Sequence, residues 1–449
     1  MKRLLCSLLI TGCAFAQDPL TLRSAVEQAA AKYPSIAVSL EQVKAAAEGV
    51  NLARTAFLPK AEFAAQVNRA THNNVFGILL PGTGFPSLSG PVLRTNSFDT
   101  VWGSAVGVNV SWEPFDFGLR QAAVNAAGAT KDRATAEVAV TRFNVSAATA
   151  DAFLTLQAAL EVEKAANAAV ERAKQLDTIV SALAKSELRP GADASRSRAE
   201  LAAAKTQAIQ ARQAIANAKA VLAQMTGAPV TAIAAEQFLE TPKAAAPATE
   251  NPHPVLTAQQ AAIAETKARE EILKKSFMPK FNLEGSAYAR GTGIQPDGHD
   301  GGFLSGLGPN YQNWALGFNV TFAPTDIFQL RVKRNLEATH EASDRARYRL
   351  LVTELDAQTA KAKAALDAAR EIAENTPVQV EAARAGEAQA RARYQAGLSN
   401  ITDLADAQRI LTQAEIDNAL ARLNIWRAML QLATAQGDLA SFLQAAEAK

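Results

Sequence analysis

The sequence predicts a mainly α-helical chain of two tandem repeats, each carrying a pair of membrane-type β-strands. Three observations predict it: a segment of strict two-residue periodicity, its recurrence 210 residues later, and long alanine-rich stretches with heptad spacing. The periodic segment is Val101 to Asp116, with Trp102, Ser104, Val106, Val108, Val110 and Trp112 on one side and Gly103, Ala105, Gly107, Asn109 and Ser111 on the other. Alternate side chains of a strand face opposite ways, so this pattern asks for two different environments. From Trp102 to Trp112 the strand covers about 33 Å. Tilted at ~45°, it rises roughly 23 Å, close to the apolar band of a membrane barrel with aromatic girdles.

The chain has 449 residues and a net charge of +2, which gives no electrostatic argument for a nucleic-acid partner. Residues 1–16 read as a signal peptide: Lys2 and Arg3, an apolar core, then Ala14-Phe15-Ala16 as the cleavage site. Ile10-Thr11-Gly12-Cys13 offers a second maturation, with Cys13 as a lipidated first residue; the A-x-A site closes the longer apolar core. Cys6 and Cys13 are the only cysteines, so cleavage after Ala16 leaves no disulfide and no thiolate metal site.

The first repeat spans residues 17–227. Leu20 to Phe57 reads as one helix, ended by Leu58-Pro59. The period then becomes two, giving strands at about 60–69 and 101–113, separated by a Pro- and Gly-rich loop of about 30 residues. No proline occurs between Pro114 and Pro190; about 70 residues of continuous helix would measure ~105 Å. After a break at Leu188-Arg189-Pro190-Gly191, the pairs Leu201/Ala204, Ala208/Ala211, Ile215/Ala218 and Leu222/Met225 keep coiled-coil spacing as far as Gly227. Residues 228–251 form a proline-rich, non-helical connector.

The second repeat, 252–437, follows the same plan. Phe277-Met278-Pro279-Lys280 echoes Phe57-Leu58-Pro59-Lys60 at an offset of 220, and strands are expected at about 280–290 and 314–323. Ala105, Gly107, Asn109, Val110, Pro114 and Asp116 reappear 210 residues on as Ala315, Gly317, Asn319, Val320, Pro324 and Asp326. The heptad returns in Leu404/Ala407, Leu411/Ala414, Asn418/Ala421, Ile425/Ala428 and Leu432/Ala435, with Asn418 the polar exception, either a register device or a solvated position, and Gly437 answers Gly227. Pro377 predicts a kink in the second long helix. Residues 438–449 read as a C-terminal tail.

Four strands cannot close a membrane barrel, and hydrocarbon tolerates no open sheet edge. Either the strands form a soluble sheet or several chains share one barrel; the girdled faces and the signal peptide favour the shared barrel, with the helices projecting about 100 Å to one side. No catalytic constellation, P-loop or metal-ligand spacing appears, and His72, His253, His299 and His340 are scattered. The residues therefore point to no enzyme, cofactor or metal.

With these features the chain resembles the outer-membrane efflux protein family, the TolC-like exit ducts. The resemblance rests on the duplicated strand pairs, the Leu-Pro and Glu-Pro-Phe-Asp junctions, and the run from Tyr394 to Ala407, YQAGLSNITDLADA. It implies a homotrimer in the outer membrane with a shared 12-stranded barrel, a periplasmic α-helical tunnel, and outer-membrane lipid around the strands. It also implies a periplasmic adaptor and an inner-membrane transporter as partners, for efflux or type I secretion. By the same resemblance the helix tips form a periplasmic gate, with Asp403 and Asp406 as a luminal acidic ring and Tyr394 tying two coils together. Asp193 and Arg196 occupy the matching positions of the first repeat, and Ser399 stands where the family often has arginine. The bland reading makes both aspartates exposed helix-start residues favoured by the dipole. Trp102, Trp112, Trp314 and Phe322 are the expected aromatic girdle. The alternative function is a periplasmic coiled-coil adaptor or structural envelope protein whose strands form a soluble sheet.

Overall fold

The computed structural model describes residues 19–71, 98–187, 190–240, 242, 252–295, 299 and 301–447. The leader with both of its maturation readings, His72, Leu188 and Arg189 lie outside the described residues. The elements run α1 (Leu22–Lys32), α2 (Pro34–Thr55), β1 (Lys60–Thr71), β2 (Thr100–Phe115), α3 (Leu119–Lys185), α4 (Gly191–Thr226), α5 (Pro254–Lys275), β3 (Lys280–Thr292), β4 (Tyr311–Thr321), α6 (Asp326–Gln395), α7 (Ile401–Gln436) and α8 (Leu439–Glu447).

The chain divides into two compact units. The first comprises Met1–Gln42, Ala134–Gln260 and Ala346–Lys449; the second comprises Val43–Arg133 and Ala261–Arg345.

In the first unit the alanine seams are buried as their spacing requires. Ala204, Ala208, Ala211, Ile215, Ala218 and Leu222 form the hidden stripe of α4, and Leu404, Leu411, Ala414, Ala421, Ile425, Ala428 and Ala435 lie in that of α7. Small side chains let helix backbones approach closely, so little volume is needed to exclude water. Asn418 stands in this stripe with a partner, because the Thr376 hydroxyl donates to its Oδ1 at 3.1 Å. Four aromatics stand in contact within the main, largely aliphatic core: Phe238 meets Phe153 and Trp426 edge-on at 5.8 and 5.0 Å, and Trp426 meets Phe442 at 6.3 Å. Gly227 and Gly437 end α4 and α7 in the left-handed region, at φ 73° and 77°, which glycine adopts without Cβ strain.

Three expectations change here. The first helix is two, because Pro34 disfavours helical geometry at Tyr33, whose ψ is 128°. The connector holds a short 3-10 helix, Glu236–Leu239, and Leu20 pairs with Ile233 as an isolated parallel bridge. The C-terminal stretch is a packed helix rather than a tail, with Phe442 and Ala446 buried in the main core. The helix α6 continues unbroken through Pro377.

In the second unit the strands form one antiparallel sheet in the order β1-β2-β3-β4. Three of them run one or two residues beyond the limits read from the sequence, while β4 starts three residues earlier and ends two earlier. The register aligns apolar residues in rows across one face: Phe63, Val108, Ala287 and Trp314; then Ala61, Val110, Gly285 and Leu316; then Trp112, Leu283 and Phe318. The rows of the other face are polar or small, as in Glu62, Asn109, Ser286 and Ala315, or Ser111, Glu284 and Gly317. A shift in register between Trp112 and Phe115 accommodates Pro114, which has no N–H to give the ladder.

Candidate functional site

Two regions carry functional geometry, one in each unit. The first is the sheet. Its apolar face is left open, with Phe63, Trp314 and Phe318 exposed by 73, 80 and 63%. A water-soluble sheet covers such a face, and uncovered apolar area on this scale marks an interaction surface. The soluble-sheet alternative is therefore at odds with the burial pattern.

The girdle residues sit at different levels. Trp102 lies near the loop end of β2, within 5.4 Å of the Arg69 guanidinium. Trp112 is near the helix end, and its indole Nε1–H donates to the Phe57 carbonyl at 3.1 Å. Phe322 follows β4 and packs edge-on against Phe277 at 5.5 Å. Trp314 is the fourth residue of β4 and shares a row with Val108, inside the sheet rather than at its helix end.

The handover from β2 to α3 is fixed by Asp116. Its carboxylate accepts from the backbone N–H groups of Gly118 and Arg120 at 3.1 and 2.6 Å, and from Arg120 Nε at 2.8 Å. Burial pushes the Asp116 pKa up, but these hydrogen bonds outweigh it and hold the carboxyl below its ordinary value. Arg120 also donates to the Ala56 carbonyl at 3.3 Å and stacks over the Phe57 ring at 5.0 Å. The reversal puts Phe117 and Gly118 at positive φ, 53° and 86°. Further along, Glu265 of α5 is buried and accepts from Thr130 and Arg133 of α3 at 2.9 and 3.1 Å, and from Arg269.

The second region is the end of the first unit where the turns α3–α4 and α6–α7 meet. Tyr394 is 1% exposed and packs among Leu176, Val180, Ala194, Ile401 and Leu404, so one ring joins both helix pairs. Asp403 is exposed in the first turn of α7, where its backbone N–H donates to the capping Asn400 Oδ1 at 2.9 Å. The carboxylate of Asp406 pairs with Arg409 one turn on. Asp193 lies in the first turn of α4 and Arg196 is exposed. Among the described residues no hydrogen bond or ion pair joins Asp403 or Asp406 to Asp193 or Arg196. The structure therefore gathers Tyr394 into a built contact and leaves the four charges as a loose set.

Sequence reasoning missed a second tie. Arg172 of α3 donates to the carboxylate of Glu415 on α7 at 3.0 Å and to Thr412 Oγ1 at 2.9 Å, while Arg384 of α6 approaches the other Glu415 oxygen at 3.6 Å. Glu415 thus bridges the first-repeat and second-repeat helices. No local signal announces it, because the partners lie far apart in sequence on helices whose charges look solvated.

His253 is structural. Its Nδ1 accepts from the Val255 N–H, which leaves Nε2–H to donate to the Thr434 carbonyl at 3.1 Å, and Phe143 meets its ring edge-on. Burial holds its pKa below the ordinary histidine value. No group of His, Cys, Asp or Glu among the described residues could hold a metal ion, and no described helix is long and apolar enough to cross a membrane.

Comparison with known proteins follows the same lines. A model of the family described as "Outer membrane efflux protein" matches residues 25–228 and 248–438. No curated protein sequence matches the chain. Among solved structures, the outer-membrane channel OprN is 19% identical, with a TM-score of 0.70 over 93% of this chain and 89% of that one. The CmeC outer-membrane channel of Campylobacter jejuni is 16% identical, TM-score 0.70, over 93 and 85%. The outer-membrane protein VceC of Vibrio cholerae is 17% identical, TM-score 0.70, over 93 and 96%. With both of its repeats matched by the family model, the chain belongs to the outer membrane efflux protein family, whose members are non-enzymatic outer-membrane channels with helices extending into the periplasm.

Proposed function

We propose that this efflux channel works as a homotrimer, with three copies of the β1–β4 sheet closing one 12-stranded barrel and the long helices forming a tunnel. The observation that supports it most is the sheet itself: it ends in β1 and β4, of 12 and 11 residues, with no described strand beyond either. Unpaired N–H and C=O groups along such edges are costly in hydrocarbon, and pairing β4 of one copy with β1 of the next removes both edges. The apolar face then meets outer-membrane lipid, and Trp102, Trp112 and Phe322 serve as interfacial anchors. The polar face lines the pore, which passes solutes from periplasm to exterior without chemistry.

Tyr394 at the helix tips, backed by the Arg172–Glu415–Arg384 bridge about 20 Å further along the helices, holds the two helix pairs together as the closed gate, and three copies of Asp403 and Asp406 concentrate negative charge around the axis. A groove of about 900 Å³ between α3, α4 and α7, whose lining mixes alanines with Gln207, Gln210, Asp406 and Arg409, suits a helical hairpin of a periplasmic adaptor that bridges to an inner-membrane transporter. Mass measurement of the detergent-solubilised protein tests the assembly: a three-chain, heat-labile species is expected, and a species of single-chain mass in outer-membrane extracts would overturn it. In planar bilayers, Asp403→Ala with Asp406→Ala is expected to relieve block by divalent cations; unchanged block removes the acidic ring from the mechanism.

A further inference from the structure

The segment between β3 and β4 does not simply cap the end of the sheet. Its backbone is pinned to the strands: Gly293 N–H donates to the Trp102 carbonyl at 2.8 Å, and Gly301 N–H donates to the Gly293 carbonyl at 2.9 Å. Two glycines mark how close it comes. A Cβ on Gly291 would collide with the Gly306 and Gly308 carbonyls and the Ser104 hydroxyl, and one on Gly306 would collide with the Trp102 carbonyl. Gly306 also has φ +91°, which side chains rarely adopt.

The register identifies the face on which this happens. Ser104 pairs with Val67 on one side and Gly291 on the other, in the row next to Val106, Ala65 and Ala289. That is the apolar face. Residues 305–308 therefore lie against the face that the barrel turns to lipid, and they bury Ser104, the one polar interruption of its stripe. Just before them, Phe303 and Leu304 are exposed by 75 and 66%. The Arg69 guanidinium lies 5.4 Å from the Trp102 ring and 5.5 Å from the Phe303 ring, with its Nε donating to Thr100 Oγ1 at 2.8 Å.

We propose that the β3–β4 loop is a lipid anchor: it folds back over the lipid-facing side of the sheet, inserts Phe303 and Leu304 among acyl chains, and sets Arg69 at the level of the lipid phosphates. The occupant follows from continuity. Phe303 meets Arg69, which pairs with Trp102 on that same face, at the end of the sheet opposite the helices, which is the outer leaflet of an outer-membrane channel. A cation in contact with two aromatic rings at the margin of an apolar band matches the interfacial level, where arginine keeps its charge near headgroups while its stem stays among apolar groups. The proposal rests on the barrel reading above and adds a segment outside the strands to the lipid contact.

Site-specific quenching tests it on the full-length channel in proteoliposomes. Single cysteines at Phe303, Leu316 and Asn319 each carry an environment-sensitive fluorophore, and the lipid carries a nitroxide high on its acyl chain. Leu316 reports the apolar face and Asn319 the polar face, so together they read the barrel independently of the loop. Quenching of at least twofold is expected at Phe303→Cys and Leu316→Cys and not at Asn319→Cys. Quenching at 316 without quenching at 303 overturns the anchor and leaves the barrel standing. Loss of quenching at 316 overturns the barrel reading itself.

Discussion

Replacing Tyr394 by alanine removes the bulkiest fully buried side chain among the described residues. Its ring is the common neighbour of α3, α4 and α7, and the rest of its cluster is Leu176, Val180, Ala194, Ile401 and Leu404. Truncating a fully buried aromatic costs about 3–5 kcal/mol, and a site between four helix ends collapses poorly around the space left behind. In the proposed gate most of that loss falls on the closed arrangement of the tips, because opening separates these partners. A difference of about 3 kcal/mol multiplies the opening equilibrium roughly 150-fold. Single-channel recording in planar bilayers is the assay, with Tyr394→Phe keeping the ring while removing the hydroxyl. Tyr394→Ala is expected to raise the resting conductance and Tyr394→Phe to stay close to the parent. Equal conductance of the alanine variant and the parent, with the oligomer intact in both, would refute the claim that this ring holds the gate.

Other outcomes follow from the charged ties. Glu415→Gln leaves Arg172 and Arg384 without their shared carboxylate, and combined with Tyr394→Ala it should open the channel further than either alone; no added effect would show that the bridge does not restrain the tips. Glu265 is buried, which pushes its pKa up, yet the hydrogen bonds from Arg133 and Thr130 and the nearby Arg269 charge outweigh burial and hold it below the ordinary glutamate value. Its stabilisation is therefore present above an unfolded pKa of about 4.3 and is lost as pH falls through the lower folded value. Melting curves between pH 3 and 6 should show a steeper acid loss for the parent than for Glu265→Gln, which itself costs on the order of 2 kcal/mol at neutral pH. Parallel acid slopes would count against this assignment. Phe442→Ala should cost about 3–5 kcal/mol of stability, as a core substitution does, and lower the melting temperature accordingly; a shift within the scatter of surface variants would mean that α8 is the tail its position suggests.

Much of the architecture was legible because it depends on period. The strands announce themselves through two-residue alternation, and the α4 and α7 stripes through heptads whose alanines the structure buries. Tyr394 could be picked out only by resemblance to the family motif, since nothing in a lone tyrosine near a helix end says that it is buried. The Arg172–Glu415 tie was unreadable for a different reason: it joins residues on separate helices, and a charge on an alanine-rich helix looks the same whether its partner is water or another helix. The last helix lies between these cases. Leu439, Phe442, Leu443 and Ala446 have helical spacing, but a nine-residue helix is marginal alone and exists here because it packs on Trp426. Asp406 shows the converse, for Arg409 one turn away was visible in the sequence and tempers the charge that an acidic ring would carry.

The central pair of the sheet has a consequence for assembly. Strands β2 and β3 belong to different repeats, so the contact between them is already a junction between two like bodies, joined by covalent linkage. In a trimer the junction from β4 to the next β1 is the same junction without the linkage. The chain then behaves as a fused dimer, and the barrel has six near-equivalent seams. The observed pairing of Val108 with Ala287, carried through the repeat offsets, sets Phe318 beside Val67 of the partner subunit. A Phe318→Cys, Val67→Cys pair should lock three chains into a covalent ring.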